Sequence, residues 1–153
     1  KAAVFSTPAT AKSTYLKDLI EKFADGAQIF TIGGSGLEEL VEEGKIDGRK
    51  IDRILKKFLL PLKERGVDAI ALGCTHYPFL KEKIQKIVGS KVAIVDSGGA
   101  VARRTKEVLA SEKLLSNRKL RDIFYTTGDP DKFKKIAGTL LNKRLAYVKK
   151  AII

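Results

Sequence analysis

The chain has 153 residues, 44% of them hydrophobic, with 13 Gly, 4 Pro, one Cys, one His and no Met. That length and apolar content suit a globular domain with a buried core and argue against disorder, and a single Cys excludes an internal disulfide framework. The formal charge is +12, but it is uneven: residues 1–102 carry 16 basic and 13 acidic groups, and 103–153 carry 14 and 5. The basic residues of the last third are scattered among apolar positions, which suits a solvated face better than a nucleic-acid stripe. The uncharged run 69–80, as long as any in the chain, is too short to span a bilayer and contains His76 and Pro78. The absent Met, with Ala2-Ala3-Val4-Phe5 following Lys1 at once, leads us to expect a fragment that begins inside an element.

In chain order, Val4-Phe5 ends a first strand, and Thr10 to Phe23 predicts a helix with Tyr15, Leu16, Leu19, Ile20 and Phe23 on one stripe. A strand over Ala27–Ile32 is closed by Gly33-Gly34-Ser35-Gly36, and a short helix over Leu37–Glu43 stops at Gly44. Asp47 is expected to cap a long helix reaching Arg65, with Gly66 in the left-handed position after it and Pro61 bending or dividing it. Val67–Leu72 reads as a strand covered on both faces. A helix over Pro78–Val88, a strand over Lys91–Val95 and a helix from Ala100 to about Leu115 follow. A strand over Asp122–Thr127, a helix over Pro130–Leu141 and a strand over Ala146–Ile152 complete the pattern. Alternation at this spacing predicts a doubly wound α/β fold, with the polar run Ser111–Arg121 as the best linker.

Ligands of open parallel sheets bind beyond the carboxyl ends of the strands. The richest such end is Gly73-Cys74-Thr75-His76-Tyr77-Pro78. There the thiol would face a helix N-terminus, which lowers a Cys pKa, and His76 could relay a proton. An inert core Cys beside a scaffold His is the plain alternative, and two ligands are too few for zinc. Ser6-Thr7-Pro8-Ala9-Thr10 could cradle a carboxylate, or Thr10 could simply cap the helix; Asp96 or Ser97 is expected to cap the helix that follows. Gly33-Gly34-Ser35-Gly36 lacks the spacing of a nucleotide loop.

Leu72 to Pro78 resembles the second catalytic cysteine motif of glutamate racemases, in the cofactor-independent aspartate/glutamate racemase superfamily. Thr7-x-x-Thr10 with Ser13, the Asp96-Ser97-Gly98 stretch running to Arg103, and Tyr125 to Pro130 with Phe133 are similar to further family segments, in family order. The resemblance implies two similar lobes of Rossmann/flavodoxin-like, three-layer architecture. Residues 1–100 would be the second lobe, and 101–153 a returning segment that completes the first. It also implies that Cys74 is one of two opposed acid/base thiols that interconvert L- and D-glutamate, assisted by His76, with Glu42 as the carboxylate partner of the His. Thr7, Thr10 and Thr75 match positions that hold substrate. No cofactor or metal is implied; the whole enzyme would be cytoplasmic, a homodimer in all expectation, with glutamate as its partner and neither nucleic acid nor membrane involved.

The family's first cysteine, with its Asn-Thr, and its N-terminal Asp-Ser and Pro-Tyr-Gly have no counterpart here, and Gly33-Gly34-Ser35 stands where many members have Ala-Cys-Pro. One thiol cannot serve both faces of Cα, so this chain is expected to be inactive alone. The rival reading is a non-catalytic basic α/β module that binds nucleic acid through Arg103, Arg104, Lys134 and Lys135.

Overall fold

A computed structural model describes residues 1–118 and 120–153. The chain forms two compact units, 1–96 and 97–153. The polar run 111–121 therefore lies within the second unit and does not mark its start, and its Lys119 is outside the described residues.

The first unit is an α/β sheet of four parallel strands in the order β2-β1-β3-β4. Its elements are β1 (Ala2–Ser6), α1 (Pro8–Ala11), α2 (Thr14–Phe23), β2 (Ile29–Gly33), α3 (Glu38–Glu42), α4 (Arg49–Glu64), β3 (Ala69–Gly73), a 3₁₀ turn (Tyr77–Leu80), α5 (Lys81–Val88) and β4 (Ala93–Val95). The chain winds from β1 outward to β2, then returns to place β3 on the other side of β1. That reversal between β1 and β3 is a topological switch point, where the connections leave in opposite directions and open a crevice at the carboxyl ends.

The core follows from side-chain spacing. Ile51, Leu55, Leu59 and Leu62 recur along one stripe of α4 and are all buried, as are Ile84 and Val88 on the neighbouring α5. Phe5, Ile70 and Leu72 fill the sheet side, with the Phe5 ring 6.1 Å from Phe58 and 4.7 Å from Tyr77. Gly44 and Gly66 close α3 and α4 with positive φ, where a Cβ would be strained. Lys83 ties the two helical segments by pairing with both Asp47 and Asp52.

Several expectations are corrected. The helix expected over Thr10–Phe23 is two, because the Ser13 side chain accepts from Leu16 N–H and donates to Thr10 C=O, breaking the ladder. Capping falls to Thr7 and Ser13 and not to Thr10. On α2, Leu16, Leu19 and Ile20 are half-buried while Tyr15 and Phe23 face outward. Asp47 does not cap α4: Gly48 takes that position at φ 110°, and the Asp47 carboxylate turns to Lys83, whose hydrogen bond holds its carboxyl below the ordinary range. Pro61 does not divide α4, since the lost N–H lies one turn from its end and Leu59 and Leu62 anchor the helix on both sides. Strand β3 is Ala69–Gly73 and is not covered on both faces; Ile70 and Leu72 are buried while Ala71 is exposed. The helix expected from Pro78 opens as a 3₁₀ turn, and Ser97 makes no side-chain cap to the next helix.

The second unit comprises α6 (Gly98–Ser111), β5 (Phe124–Thr126), α7 (Pro130–Leu140) and β6 (Val148–Lys150). Strands β5 and β6 pair with each other in parallel, Phe124 opposite Val148. Leu145 is the only buried apolar side chain among its described residues. Several of its basic groups have partners within the unit: Arg104 with Glu107, Lys143 with Asp122, Arg121 with the Tyr147 hydroxyl. No helix among the described residues is long and apolar enough to cross a membrane.

Two measurements check this division. Hydrogen exchange is expected to be slower over 1–96 than over 97–153, because protection follows buried contacts; equal protection would contradict it. Leu59→Ala is expected to lower stability by about 2–5 kcal/mol in urea unfolding, since a buried leucine leaves a cavity.

Candidate active site

The geometry of the site begins with Ser6. It ends β1, lies in register between Gly33 of β2 and Gly73 of β3, and is fully buried. Both neighbours must be small. A Cβ on Gly73 would come within 2.9 Å of the Ser6 Cβ, and one on Gly33 within 2.7 Å of the Pro8 backbone. Three strands can therefore end side by side, and the segments that leave them, Thr7–Pro8, Gly34–Ser35 and Cys74–His76, start from one edge.

At that edge the structure forms a chain of three side chains. Cys74 Sγ is 3.6 Å from His76 Nδ1, and His76 Nε2 is 3.1 Å from Glu42 Oε1. Glu42 comes from the last residue of α3, 34 positions before His76, and is exposed, while Cys74 and His76 are half-buried. With the imidazole proton on Nε2, where the carboxylate accepts it, Nδ1 is left as an acceptor toward the thiol. The arrangement can take a proton from sulfur and return it.

The expected lowering of the thiol pKa is not found. Burial pushes the Cys74 thiol up, and the charge of Glu38 adds to this, while the backbone N–H groups of His76 and Tyr77 oppose it. The physical reason is that burial of the thiol outweighs the two backbone N–H groups that reach the sulfur.

Two of the three threonines bond to each other, and the third lies between Cys74 and His76 in the chain. Thr7 Oγ1 accepts from Thr10 N–H at 3.3 Å and donates to Thr10 Oγ1 at 3.0 Å, while Thr75 is exposed. Asp96 accepts from Lys81 at 2.9 Å. Among the described residues no group of three or more His, Cys, Asp or Glu is arranged to hold a metal ion.

Two side chains at this edge received no role in the sequence reading, although Tyr77 lies within the quoted motif. Tyr77 is buried with its hydroxyl 3.0 Å from Glu38 Oε1. Glu38 and Glu42 are four residues apart on α3, with Leu40 and Val41 buried between them. That spacing puts both carboxylates on one face and was the available signal.

The model of the Asp/Glu/hydantoin racemase family matches residues 1–105. The chain belongs to this family. The glutamate racemase of Pseudomonas paraeruginosa is 35% identical over 141 residues, which is 92% of this chain and 53% of that protein. A glutamate racemase from Francisella tularensis, solved in complex with D-glutamate, superposes with a TM-score of 0.83 at 27% identity, over 99% of this chain and 57% of that one. A glutamate racemase isoform from Bacillus anthracis gives 0.84 at 26%, over the same shares. The chain thus spans about half the length of the curated relatives it matches.

A raised thiol pKa has a sign that can be tested. The native state keeps its proton where an unfolded thiol has lost it, so stability falls as pH rises through and above the ordinary thiol range, near 8.5. Urea unfolding at stepped pH is expected to show this loss in the parent chain and a smaller one in Cys74→Ser. Identical pH slopes in both would contradict it.

Proposed function

We propose that this chain carries one of the two acid/base thiols of a glutamate racemase, with Cys74 acting at Cα and His76 and Glu42 serving the thiol. The observation that carries the proposal is the Cys74–His76–Glu42 relay at the carboxyl edge of β3, beside the switch point. Family membership and the D-glutamate held by the Francisella relative support the choice of reaction and substrate class.

In the direction from L-glutamate, the Cys74 proton passes to His76 Nδ1, and the thiolate then takes the Cα proton. The C–H electron pair moves onto the adjacent carboxylate, and a second thiol delivers a proton to the opposite face. In reverse, Cys74 begins as the thiol and donates. A raised thiol suits that donor state, and Glu42 stabilises the imidazolium that forms in the other. Thr7, Thr10 and Thr75 are assigned to the substrate's carboxylate and amino groups. Residues 1–100 are read as one lobe and 101–153 as part of another. The whole enzyme is read as a cytoplasmic homodimer that needs no cofactor and supplies D-glutamate for peptidoglycan.

This chain holds one cysteine, so it cannot protonate both faces of Cα. Chiral chromatography of L-glutamate incubated with the chain is expected to show no D-isomer. Racemisation by the chain alone, abolished in Cys74→Ser, would refute the two-thiol reading. Co-expression with the part of the Pseudomonas relative that this chain does not match is expected to restore turnover. In that pair Cys74→Ser abolishes activity and His76→Ala lowers it by about 10²–10⁴-fold. An assembled pair without turnover would count against the assignment.

A further inference from the structure

Tyr77 is the largest fully buried side chain among the described residues, and its polar end points at the ends of two strands. Its hydroxyl lies 3.0 Å from Glu38 Oε1 and 3.3 Å from the carbonyl oxygens of both Ser6 and Gly34. A phenol has one proton to donate, and the nearest and only charged acceptor is Glu38. Glu38 is itself held, since its other carboxylate oxygen accepts from Leu37 N–H at 3.2 Å.

The space around the phenol is cut to fit it. A Cβ on Gly34 would meet the Phe5 ring at 2.7 Å and the Tyr77 hydroxyl at 3.0 Å, so the second strand can close over the ring only as glycine. Gly34 N–H in turn donates to Ser6 C=O at 2.8 Å, which joins the ends of β1 and β2 directly beside the phenol. At its other end, Tyr77 N–H donates to Cys74 C=O at 3.3 Å. Fixing the ring therefore fixes the turn that presents the thiol.

We propose that Tyr77 is a positioning residue for Cys74, anchoring the Cys74–His76 turn to the ends of β1 and β2, and that Glu38 is the group that holds the phenol in place. The proposal deepens the thiol chemistry above and rests on that reading for its catalytic meaning. The anchoring itself is tested without turnover, so the two stand or fall separately.

The purified 153-residue chain is compared with Tyr77→Phe, Glu38→Ala and Glu38→Gln. In Tyr77→Phe and Glu38→Ala, exchange of the Gly34 and Tyr77 amides is expected to speed up about five- to tenfold, the loss of one hydrogen bond. The amides within β1 and β3 keep their protection. In Glu38→Gln, which still offers the phenol an acceptor, the Gly34 and Tyr77 amides stay protected. Alkylation of the lone Cys74 by iodoacetamide gives the second readout: the midpoint of its pH profile moves down toward the ordinary thiol value in Tyr77→Phe as the turn loosens and water reaches sulfur. Unchanged exchange and an unchanged profile in Tyr77→Phe would overturn the proposal. So would an equal loss of protection across β1, β3 and the turn, which marks a merely structural role. If Tyr77→Phe does not fold, Glu38→Ala, which leaves the buried ring intact, decides on amide exchange alone: faster exchange at Gly34 and Tyr77 supports the proposal and unchanged exchange overturns it, because removing the Glu38 charge shifts the thiol by itself.

Discussion

Everything at the site depends on how closely three parallel strands approach at Ser6. A buried residue at the end of a central strand, with a side chain of only two heavy atoms and glycine on both flanks, lets β1, β2 and β3 end flush. Were Gly73 an alanine, its Cβ would press on Ser6 and the Cys74 turn would leave the sheet elsewhere. Were Gly34 an alanine, the Phe5–Tyr77 stack beneath that turn could not close. The relay is thus a consequence of backbone proximity first and of side-chain chemistry second.

The electrostatics at Cys74 set a conflict that the geometry does not remove. Burial and the Glu38 charge oppose the thiolate, and two backbone N–H groups favour it. Burial and Glu38 also push the Tyr77 phenol well above its ordinary value, so it remains a donor throughout the range in which the thiol titrates. Two carboxylates of α3 thus serve different side chains: Glu42 lies against the His76 imidazole, whereas Glu38 holds the neighbouring tyrosine and disfavours charge on the sulfur. A thiol used alternately as acid and base gains from such balance, because too stable a thiolate would be a poor donor.

Much of this was legible in the chain, for a physical reason. Element type and order follow from hydrophobic period, and the glycines at 44 and 66 stop helices wherever a left-handed residue is needed. Cys74 and His76 were named from their place at a strand's carboxyl end and Glu42 from the resemblance, and their juxtaposition across 34 residues is geometry that only the folded sheet supplies. What was not legible depended on competition among local hydrogen bonds. Ser13 could have continued a helix or capped a new one, and Asp47 could have capped α4 or paired with Lys83. In each case a partner distant in sequence, or a turn not visible in the pattern, decided the outcome. The direction of the Cys74 shift was not legible either: a helix start can be read from sequence, but the burial that outweighs its N–H groups is set by the folded unit.

The two units differ in how far their own contacts can hold them. The first has a four-stranded sheet and nearly all of the buried apolar side chains among the described residues. The second pairs two three-residue strands across one helix and leaves Val101, Val108, Tyr125 and Leu141 exposed. Two strands are fewer than a sheet needs for independent stability, and each keeps an open edge. Its basic residues, several of them paired internally, add repulsion without adding a core. The positive charge that dominates the composition therefore belongs to the less tightly built unit, while the chemistry of Cys74, His76 and Glu42 belongs to the unit whose net charge is small.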